Sequence, residues 1–171
     1  MSDGSCVSNA GPLIHLAKIR SGLDLLAKIF GKVFVVDEVY LESVTRGKEA
    51  GATDALLIER AAKEGWLDVK KVELSDEIRG LAERAGIEVA EACSIQLAYE
   101  KKLPILLDDA AARTFARGLG LEIIGSIGVL LRALKTGLVS KGEALRKLDE
   151  LARAMWLSPE AYEGAMKAFK S

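Results

Sequence analysis

The chain has 171 residues, of which 50% are hydrophobic and three are proline, so the composition favours one folded domain with a buried core over extended disorder. Its formal net charge of -1 gives no overall attraction to nucleic acid, and any such affinity has to come from local basic patches. The two cysteines, Cys6 and Cys93, lie far apart and outside any C-x-x-C unit, which favours buried thiols over a disulfide framework or a zinc site.

Two further features narrow the class of protein. No apolar run reaches the length of a membrane span and the N-terminus lacks a signal-peptide pattern, so we expect a cytoplasmic protein. The one histidine, His15, falls in an apolar helical run, where a structural side chain is expected. A catalytic pair of histidines within one subunit is therefore excluded.

Apolar runs and helical patterns alternate along the chain, as they do in an open α/β sheet of mostly parallel strands. Strands are predicted at residues 5–8, 32–36, 66–69, 105–107 and 121–124, the third of them at an edge of the sheet. Helices are predicted at 13–19, between Ser21 and Gly31, at 38–44, 53–64, 76–84, 88–100, 110–119 and 126–136, and after Ser140 and Ser158. We treat residues 1–171 as a single domain in which 126–171 form a helical C-terminal extension.

Local signals predict several helix ends. Ser75 and Ser158 are predicted N-caps, Ser140 begins a predicted capping box, and Ser21 resembles the start of another. Asp37 is expected to cap the helix that follows it, which we favour over a ligand role. Glu42 lies more than a turn inside that helix, where capping does not explain it. Residues 45–51 are predicted to form a loop.

Three predicted strands end in oxygen-bearing side chains. Asn9 follows the first strand, Asp37 follows the second, and Asp108 and Asp109 end the run that starts at Ile105. Open parallel sheets bind ligands at the carboxyl ends of their strands, and hard divalent cations prefer oxygen ligands. The sequence therefore predicts a cation site at this edge of the sheet.

Glu91 falls on the inward side of the predicted helix 88–100. A carboxylate in that position needs a partner, which could be a bound cation or an arginine or lysine at the helix border, and the sequence leaves both open. The sequence contains no nucleotide-binding motif. Gly118-Leu119-Gly120 follows a helix, whereas a dinucleotide fingerprint follows a strand, and no Walker-type phosphate loop occurs.

Together these residues resemble a PIN domain, a family common among metal-dependent ribonucleases. The matching runs are VSNAGPLIHLAK (7–18), VVDEVYLE (35–42), AEACSIQLA (90–98) and ILLDD (105–109) followed by Ala112-Arg113. The run GSIGVLLRA (125–133) is also similar to a PIN-like branch described only by nucleic-acid binding. The resemblance spans nearly the whole chain and implies a three-layer α/β/α fold with a twisted, mostly parallel central sheet and C-terminal helices.

The resemblance implies that Glu42, Glu91 and Asp109 are catalytic. It also implies that these three residues, together with Asn9 and Asp108, bind Mg²⁺ or Mn²⁺. Such ions orient a water and neutralise the charge that develops on a phosphate.

The chain departs from the family pattern at three places. Asn9 stands where the family usually has its first aspartate, and Gly11 stands where a hydroxyl residue is common. Ala112 and Arg113 occupy the region where some members carry a further acid. Metal affinity is therefore expected to be lower than in a site with four acids.

The family also implies partners. We expect single-stranded RNA as substrate, a homodimer, and, if the protein is the toxin of a toxin-antitoxin pair, an antitoxin protein. The basic residues nearest in sequence to the acids are the candidate phosphate contacts, namely Arg46, Lys48, Arg113 and Arg117. The alternative is a catalytically weakened or inactive module that binds nucleic acid or protein, and Asn9 is the feature that favours it.

Overall fold

The computed structural model describes residues 4–171, and five strands in that range form one sheet in the order β3-β2-β1-β4-β5. All four neighbouring pairs are parallel. The strands are β1 (Ser5–Ser8), β2 (Lys32–Val36), β3 (Leu67–Lys70), β4 (Ile105–Leu106) and β5 (Ile123–Ile124). The predicted α/β fold with a parallel sheet is therefore confirmed, as is the edge position of β3.

The strand sequences explain the sheet order. Cys6 and Val7 of β1 are fully buried, as are Val33 and Val35 of β2, because central parallel strands are covered on both faces. Val69 of the edge strand β3 is 38% exposed. β1 therefore lies at the centre of the sheet, with its register fixed by pairing on both sides.

Helices connect all the strands. They are α1 (Ala10–Ala17), α2 (Gly22–Phe30), α3 (Asp37–Tyr40), α4 (Gly47–Glu49), α5 (Thr53–Glu64), α6 (Asp76–Ala85), α7 (Val89–Lys101), α8 (Ala110–Gly118), α9 (Ser126–Lys135), α10 (Lys141–Met155) and α11 (Pro159–Lys170), with a π-helix, Leu41–Arg46, between α3 and α4. Within residues 4–171, none of these helices combines the length and the hydrophobicity needed to cross a bilayer.

The helices form two layers around the sheet. α7 packs against β1, β2 and β4, and it contacts α6, which in turn contacts α8. The other group of helices in mutual contact contains α1, α2, α5 and α9, of which α2 contacts β2, α5 contacts β3 and α9 contacts β5. This is the three-layer α/β/α arrangement expected from the sequence.

The C-terminal helices pack on this second layer. α9 contacts α1 and α2 as well as β5, and α10 packs on α1 and α9. Residues 1–3 lie outside the described part of the chain, and the division into a domain with an extension from residue 126 stays a prediction. The serine caps of α6, α10 and α11 are confirmed, since each side chain accepts a backbone N–H.

Three local predictions are wrong. Ser21 makes no capping hydrogen bond and has a left-handed backbone with φ of 59°, so it turns the chain between α1 and α2 instead. Asp37 does not cap its helix, because β2 stays extended through Val36 and Asp37 itself is the first helical residue. The predicted loop at 45–51 is largely helical, since the π-helix runs into α4 before Gly51.

The predicted buried thiols are confirmed. Cys6 and Cys93 are both buried and reduced. Burial raises the pKa of Cys6 and, with the charges of Glu38 and Asp37, raises the pKa of Cys93 to about 11. Neither cysteine is therefore a reactive thiolate at neutral pH.

Gly22 is required by the close approach of α2 to α1. A Cβ at this position would lie 2.1 Å from the Leu16 carbonyl oxygen. We predict that Gly22→Ala lowers the free energy of unfolding by about 1–3 kcal/mol or more, because backbone atoms have to move apart. Urea unfolding measures this change.

The control is Gly80→Ala in α6, where an added Cβ meets no heavy atom within 4 Å. This substitution should stabilise the protein by about 0.5–1 kcal/mol through helix propensity. Similar unfolding midpoints for the two variants would contradict the close packing of α1 and α2.

Candidate active site

An open cleft of about 480 Å³ lies at the carboxyl ends of the central strands. Its polar lining residues come from distant parts of the chain: Asn9 and His15 from the β1–α1 region, Glu42 from the π-helix, Glu88 and Glu91 from the start of α7, and Asp108 and Asp109 from the end of β4. The structure therefore brings together all five residues predicted as metal ligands. We call this region the acidic cleft.

The parallel pairing of β1 and β4 explains why two of these segments meet. Ser8 is in register with Leu106, and the Asn9 N–H donates to the Leu106 carbonyl at 3.1 Å. Asn9 and the Asp108-Asp109 pair thus leave the sheet side by side. Parallel strands end at the same edge, which is where α/β proteins bind ligands.

Asn9 is buried at the base of the cleft, with 9% of its surface exposed. Its side chain does not cap α1, and Oδ1 has no hydrogen-bond partner within residues 4–171. A buried polar atom without a partner costs free energy, of the order of 1–3 kcal/mol. A cation or a donor on a bound molecule would remove that cost.

Glu42 reaches the cleft from the π-helix. In this stretch the Ser43 hydroxyl donates to the Val39 carbonyl at 2.7 Å, which ties the side chain next to Glu42 to the preceding turn. π-turns within helices are often found at functional sites, because the extra residue shifts the side chains that follow. Glu42 itself is exposed to solvent at the rim of the cleft.

Glu91 forms a capping box with Glu88 in the first turn of α7. The Glu88 N–H donates to Glu91 Oε2 at 3.3 Å. Burial raises the pKa of Glu91, and the negative charges of Asp109, Glu88 and Glu42 raise it further, against the hydrogen bond from the Glu88 backbone, which lowers it. No lysine or arginine in residues 4–171 forms a salt bridge with Glu91, so the ion-pair alternative left open by the sequence finds no support.

Asp108 is held by hydrogen bonds on both oxygens. The Ser126 N–H donates to Oδ1 at 2.8 Å, while Oδ2 lies 2.5 Å from Ser126 Oγ and 2.8 Å from His15 Nδ1. Burial would raise the pKa of this carboxyl, but the hydrogen bonds from His15 and Ser126 outweigh it and hold the pKa below its usual range. Asp108 separates the serine from the histidine, so the three residues are not a nucleophile triad, in which the serine must contact the histidine.

Two neighbours complete the surroundings of Asp108. Arg113 Nη1 donates to the Leu107 carbonyl at 2.8 Å. A Cβ at Gly125 would lie 2.9 Å from that nitrogen and 3.2 Å from Asp108 Oδ1, so a larger residue would have to displace the end of the Arg113 side chain. The turn before α9 can therefore close tightly on the end of β4.

Asp109 combines a structural role with an exposed position. Its Oδ2 accepts the Ala112 N–H at 2.9 Å and so caps α8, which fixes the direction of the side chain. The carboxylate is exposed to solvent on the wall of the cleft. It is near enough to Glu91 to raise the pKa of that group.

The donor atoms fit a hard cation in chemical type. Several carboxylates and the unpartnered Asn9 oxygen line one cleft, and the raised pKa of Glu91 reflects first its burial and then the negative charges beside it. Across residues 4–171, no three histidine, cysteine or carboxylate side chains are grouped closely enough to hold a metal ion by themselves. Any cation bound in the cleft would therefore need further ligands from water or from a bound phosphate.

The predicted phosphate contacts are dispersed. Arg46, Lys48 and Arg117 are exposed but are not among the residues that line the acidic cleft, and Lys48 pairs with Glu59 at 2.8 Å. Arg113 alone of the four lies beside the site, on the far side of Asp108.

Three residues of the site were missed by sequence reasoning. His15 was expected to be structural, yet it lines the cleft with 24% of its side chain exposed. The sequence predicts Ser126 and Glu88 only as the first residues of helices and assigns neither to the site. No signal in the sequence pairs Asp108 with Ser126, but the spacing Glu88 to Glu91 is that of a capping box and could have indicated the pair.

A family model described as PIN domain matches residues 5–171, almost the whole chain. The chain therefore belongs to the PIN-domain family, which confirms the resemblance inferred from its sequence. This is a family of nuclease type whose members are typically dependent on divalent metal ions.

The solved structures that resemble the chain include the two described next. The PilT N-terminus domain protein SSO1118 from the archaeon Sulfolobus solfataricus P2 is 15% identical, with 76% of this chain and 93% of that one covered and a TM-score of 0.48. PAE2754 from Pyrobaculum aerophilum is 17% identical, with 68% and 97% covered and a TM-score of 0.47. No curated protein matches the chain.

Asp108 is predicted to contribute to stability above the pH at which it titrates. In Asp108→Asn an amide nitrogen can replace the oxygen that faces Ser126 Oγ and His15 Nδ1, so we expect a loss of about 1–3 kcal/mol in the free energy of unfolding. Because the folded pKa is lowered, the difference from wild type is full above the unfolded pKa of about 4 and shrinks as the pH falls below it. Urea unfolding at several pH values measures it.

The control is Glu163→Gln, which changes an exposed carboxylate past the first turn of α11. It should alter the free energy of unfolding by less than about 0.5 kcal/mol at every pH. An equal effect of the two substitutions, or an Asp108 effect that does not vary with pH, would contradict the hydrogen-bonded carboxylate described above.

Proposed function

We propose that the protein is a metal-dependent endoribonuclease that hydrolyses phosphodiester bonds of single-stranded RNA in the acidic cleft. The observation that carries this proposal is that Glu42, Glu91 and Asp109 line the same cleft as the unpartnered oxygen of Asn9. These acids lack ion pairs with lysine or arginine anywhere in residues 4–171. Membership of a nuclease-type family supports the same chemistry.

Glu42, Glu91, Asp109 and Asn9 Oδ1 are the proposed ligands of Mg²⁺ or Mn²⁺. When bound, the ion lowers the pKa of a water and neutralises charge on the phosphate. Mg²⁺ commonly uses one or two carboxylates and takes its other ligands from water and substrate phosphates. The incomplete set of protein ligands is compatible with this coordination preference. It implies that the protein binds the metal weakly in the absence of RNA.

Asp108 takes a different role in this proposal from the one inferred from sequence. Both of its oxygens are already occupied by hydrogen bonds, so it holds His15 and the start of α9 in place and leaves metal binding to the other acids. Glu88 fixes Glu91 through the capping box. Both are positioning residues.

The toxin role, an antitoxin partner and a homodimer stay predictions from the family resemblance. Of the alternatives, a binding module with weakened chemistry is favoured by one specific observation. Asn9 provides a neutral oxygen where a carboxylate would attract a cation more strongly. The two functions differ in whether RNA is cleaved.

We predict that the purified protein cleaves single-stranded RNA with Mn²⁺ or Mg²⁺ and that EDTA abolishes cleavage. Glu91→Gln should lower kcat/KM by at least about 100-fold, since groups that only hold a metal ligand in place already contribute 10- to 100-fold. A gel assay with a labelled oligonucleotide of unstructured sequence measures this.

Glu83→Gln serves as the matched control, because Glu83 is exposed on α6 and does not line the cleft. Its activity should equal that of the wild type. RNA binding without cleavage by the wild-type protein, with either ion, would rule out the nuclease in favour of the binding module.

Asn9→Asp is predicted to make the melting temperature of the protein depend more strongly on Mn²⁺. The substitution adds a charge at a buried position, so the melting temperature without metal should fall at pH 7, and the rise caused by Mn²⁺ should exceed that of the wild type. Differential scanning fluorimetry over a range of Mn²⁺ concentrations measures both changes. An unchanged response to Mn²⁺ would show that Asn9 does not face the cation.

A further inference from the structure

A second cleft adjoins the acidic cleft. It has a volume of about 580 Å³ and lies between β5 and α9, with Ile123, Ile127 and Leu131 among its apolar lining residues. Asp108, Met155 and Leu157 line both clefts. The segment that joins α10 to α11 therefore forms a ridge between them.

The two clefts carry opposite charges. Arg113, Arg132 and Lys135 line the second cleft, whereas the acidic cleft contains five carboxylates and one histidine. Arg132 shares an exposed ion pair with Glu122 at 2.6 Å, and such pairs contribute little. Lys135 pairs with no carboxylate in residues 4–171. We call this region the basic cleft.

Trp156 stands on the ridge between the two clefts. Its indole is 92% exposed, while the residues on either side of it, Met155 and Leu157, each contact both clefts. Large aromatic side chains usually bury most of their surface, so this degree of exposure leaves considerable apolar area in water.

The backbone around Trp156 is held on both sides. Its left-handed conformation, with φ of 54°, ends α10, and the Leu157 N–H donates to the Ala152 carbonyl at 3.1 Å. Two residues later, Ser158 caps α11 by accepting the Ala161 N–H at 3.2 Å. The indole is therefore presented from a fixed turn and not from a long loop.

We propose that single-stranded RNA runs from the acidic cleft over this ridge into the basic cleft, with one base stacked on Trp156 and the following phosphate near Lys135 and Arg113. This inference rests on the proposed function for the identity of the ligand. The charge pattern supports it, because a strand that places one phosphate beside a cation in the acidic cleft needs basic groups for its neighbours. Stacking on an aromatic ring tolerates any base, in keeping with recognition of unpaired RNA.

The test measures binding separately from cleavage. In EDTA and low salt, a fluorescently labelled oligouridylate is titrated with the full chain and followed by anisotropy. Trp156→Ala should weaken binding by about 5- to 150-fold, the range found for loss of one stacked base, and Trp156→Phe should restore most of it. Alanine and tryptophan are both non-glycine residues, so the left-handed backbone favours neither.

Each test variant has a matched control at a position away from the ridge. Tyr99→Ala removes an aromatic ring that is 53% exposed on α7 and lines neither cleft, so binding should not change. Lys135→Gln should weaken binding and reduce the slope of log affinity against log salt by about 0.7. Lys71→Gln, after the opposite edge strand β3, should leave that slope unchanged.

The fluorescence of Trp156 can also report RNA binding directly. The chain contains two tryptophans, so Trp66→Phe leaves Trp156 as the sole indole emitter. Its fluorescence should be quenched on addition of oligouridylate, and the quenching should follow the same affinity as the anisotropy.

Binding by Trp156→Ala within about twofold of the wild type, which is less than any stacked base contributes, would overturn the inference even if Mn²⁺-dependent cleavage is found. The inference would also be overturned if the Trp156 indole became less accessible to solvent as the protein concentration rises in the absence of RNA. The ridge would then be a contact between copies of the chain. Failure to bind oligouridylate at all would also overturn the inference. Conversely, a Trp156 effect on binding without any cleavage would support the RNA path and reject the nuclease.

Discussion

The hydrogen bonds on Asp108 hold the site together. This carboxylate lies just beyond the end of β4, yet its partners are His15 of α1 and Ser126 at the start of α9, which are distant from it along the chain. Three segments are thereby locked at the carboxyl edge of the sheet. The lowered pKa of Asp108 expresses the same fact, because the surroundings stabilise its charged form despite its burial.

Hydrogen bonds and ion pairs offset the negative charges of the remaining acids much less. Glu91 is half-buried near Asp109, Glu88 and Glu42, and its pKa is raised as a result. Negative charges gathered in this way destabilise the metal-free protein slightly and attract cations. The site therefore contains one acid whose charge is satisfied by the fold and several whose charge is available to a ligand. This difference separates a structural carboxylate from the proposed functional ones, although the two kinds are neighbours in sequence at Asp108 and Asp109.

Negative and positive side chains are also separated on the surface, although the formal net charge of the chain is only -1. Acids and bases are sorted into two clefts with Asp108 in the shared wall, so a long ligand can meet attraction in both. An extended phosphate chain with a divalent cation suits that pattern better than a small anion or a purely cationic partner does. The exposed indole at the boundary adds a flat apolar surface where a base would lie.

Much of this was accessible from the sequence, since the signals were local. Buried runs such as 32–36 predicted strands, the serine before each of three helices predicted its cap, and acids after strands predicted the edge at which they would meet. The errors were local as well. Ser21 and Asp37 had the right chemistry for caps, but the backbone geometry imposed by the turn after α1 and by the continuing strand β2 prevented it. The helical character of 45–51 depends on packing against α5, which no local pattern records.

The sequence by itself determined the order of strands and helices and the residue types available for chemistry, because hydrophobic period, caps and strand ends act over a few neighbouring residues. Only the tertiary structure decided which oxygens were already occupied, that His15 and Ser126 bind Asp108, and that Trp156 is left in solvent between clefts of opposite charge. These outcomes depend on contacts between residues as far apart as 15 and 108, and hydrogen-bond geometry over such separations exists only once the chain has folded.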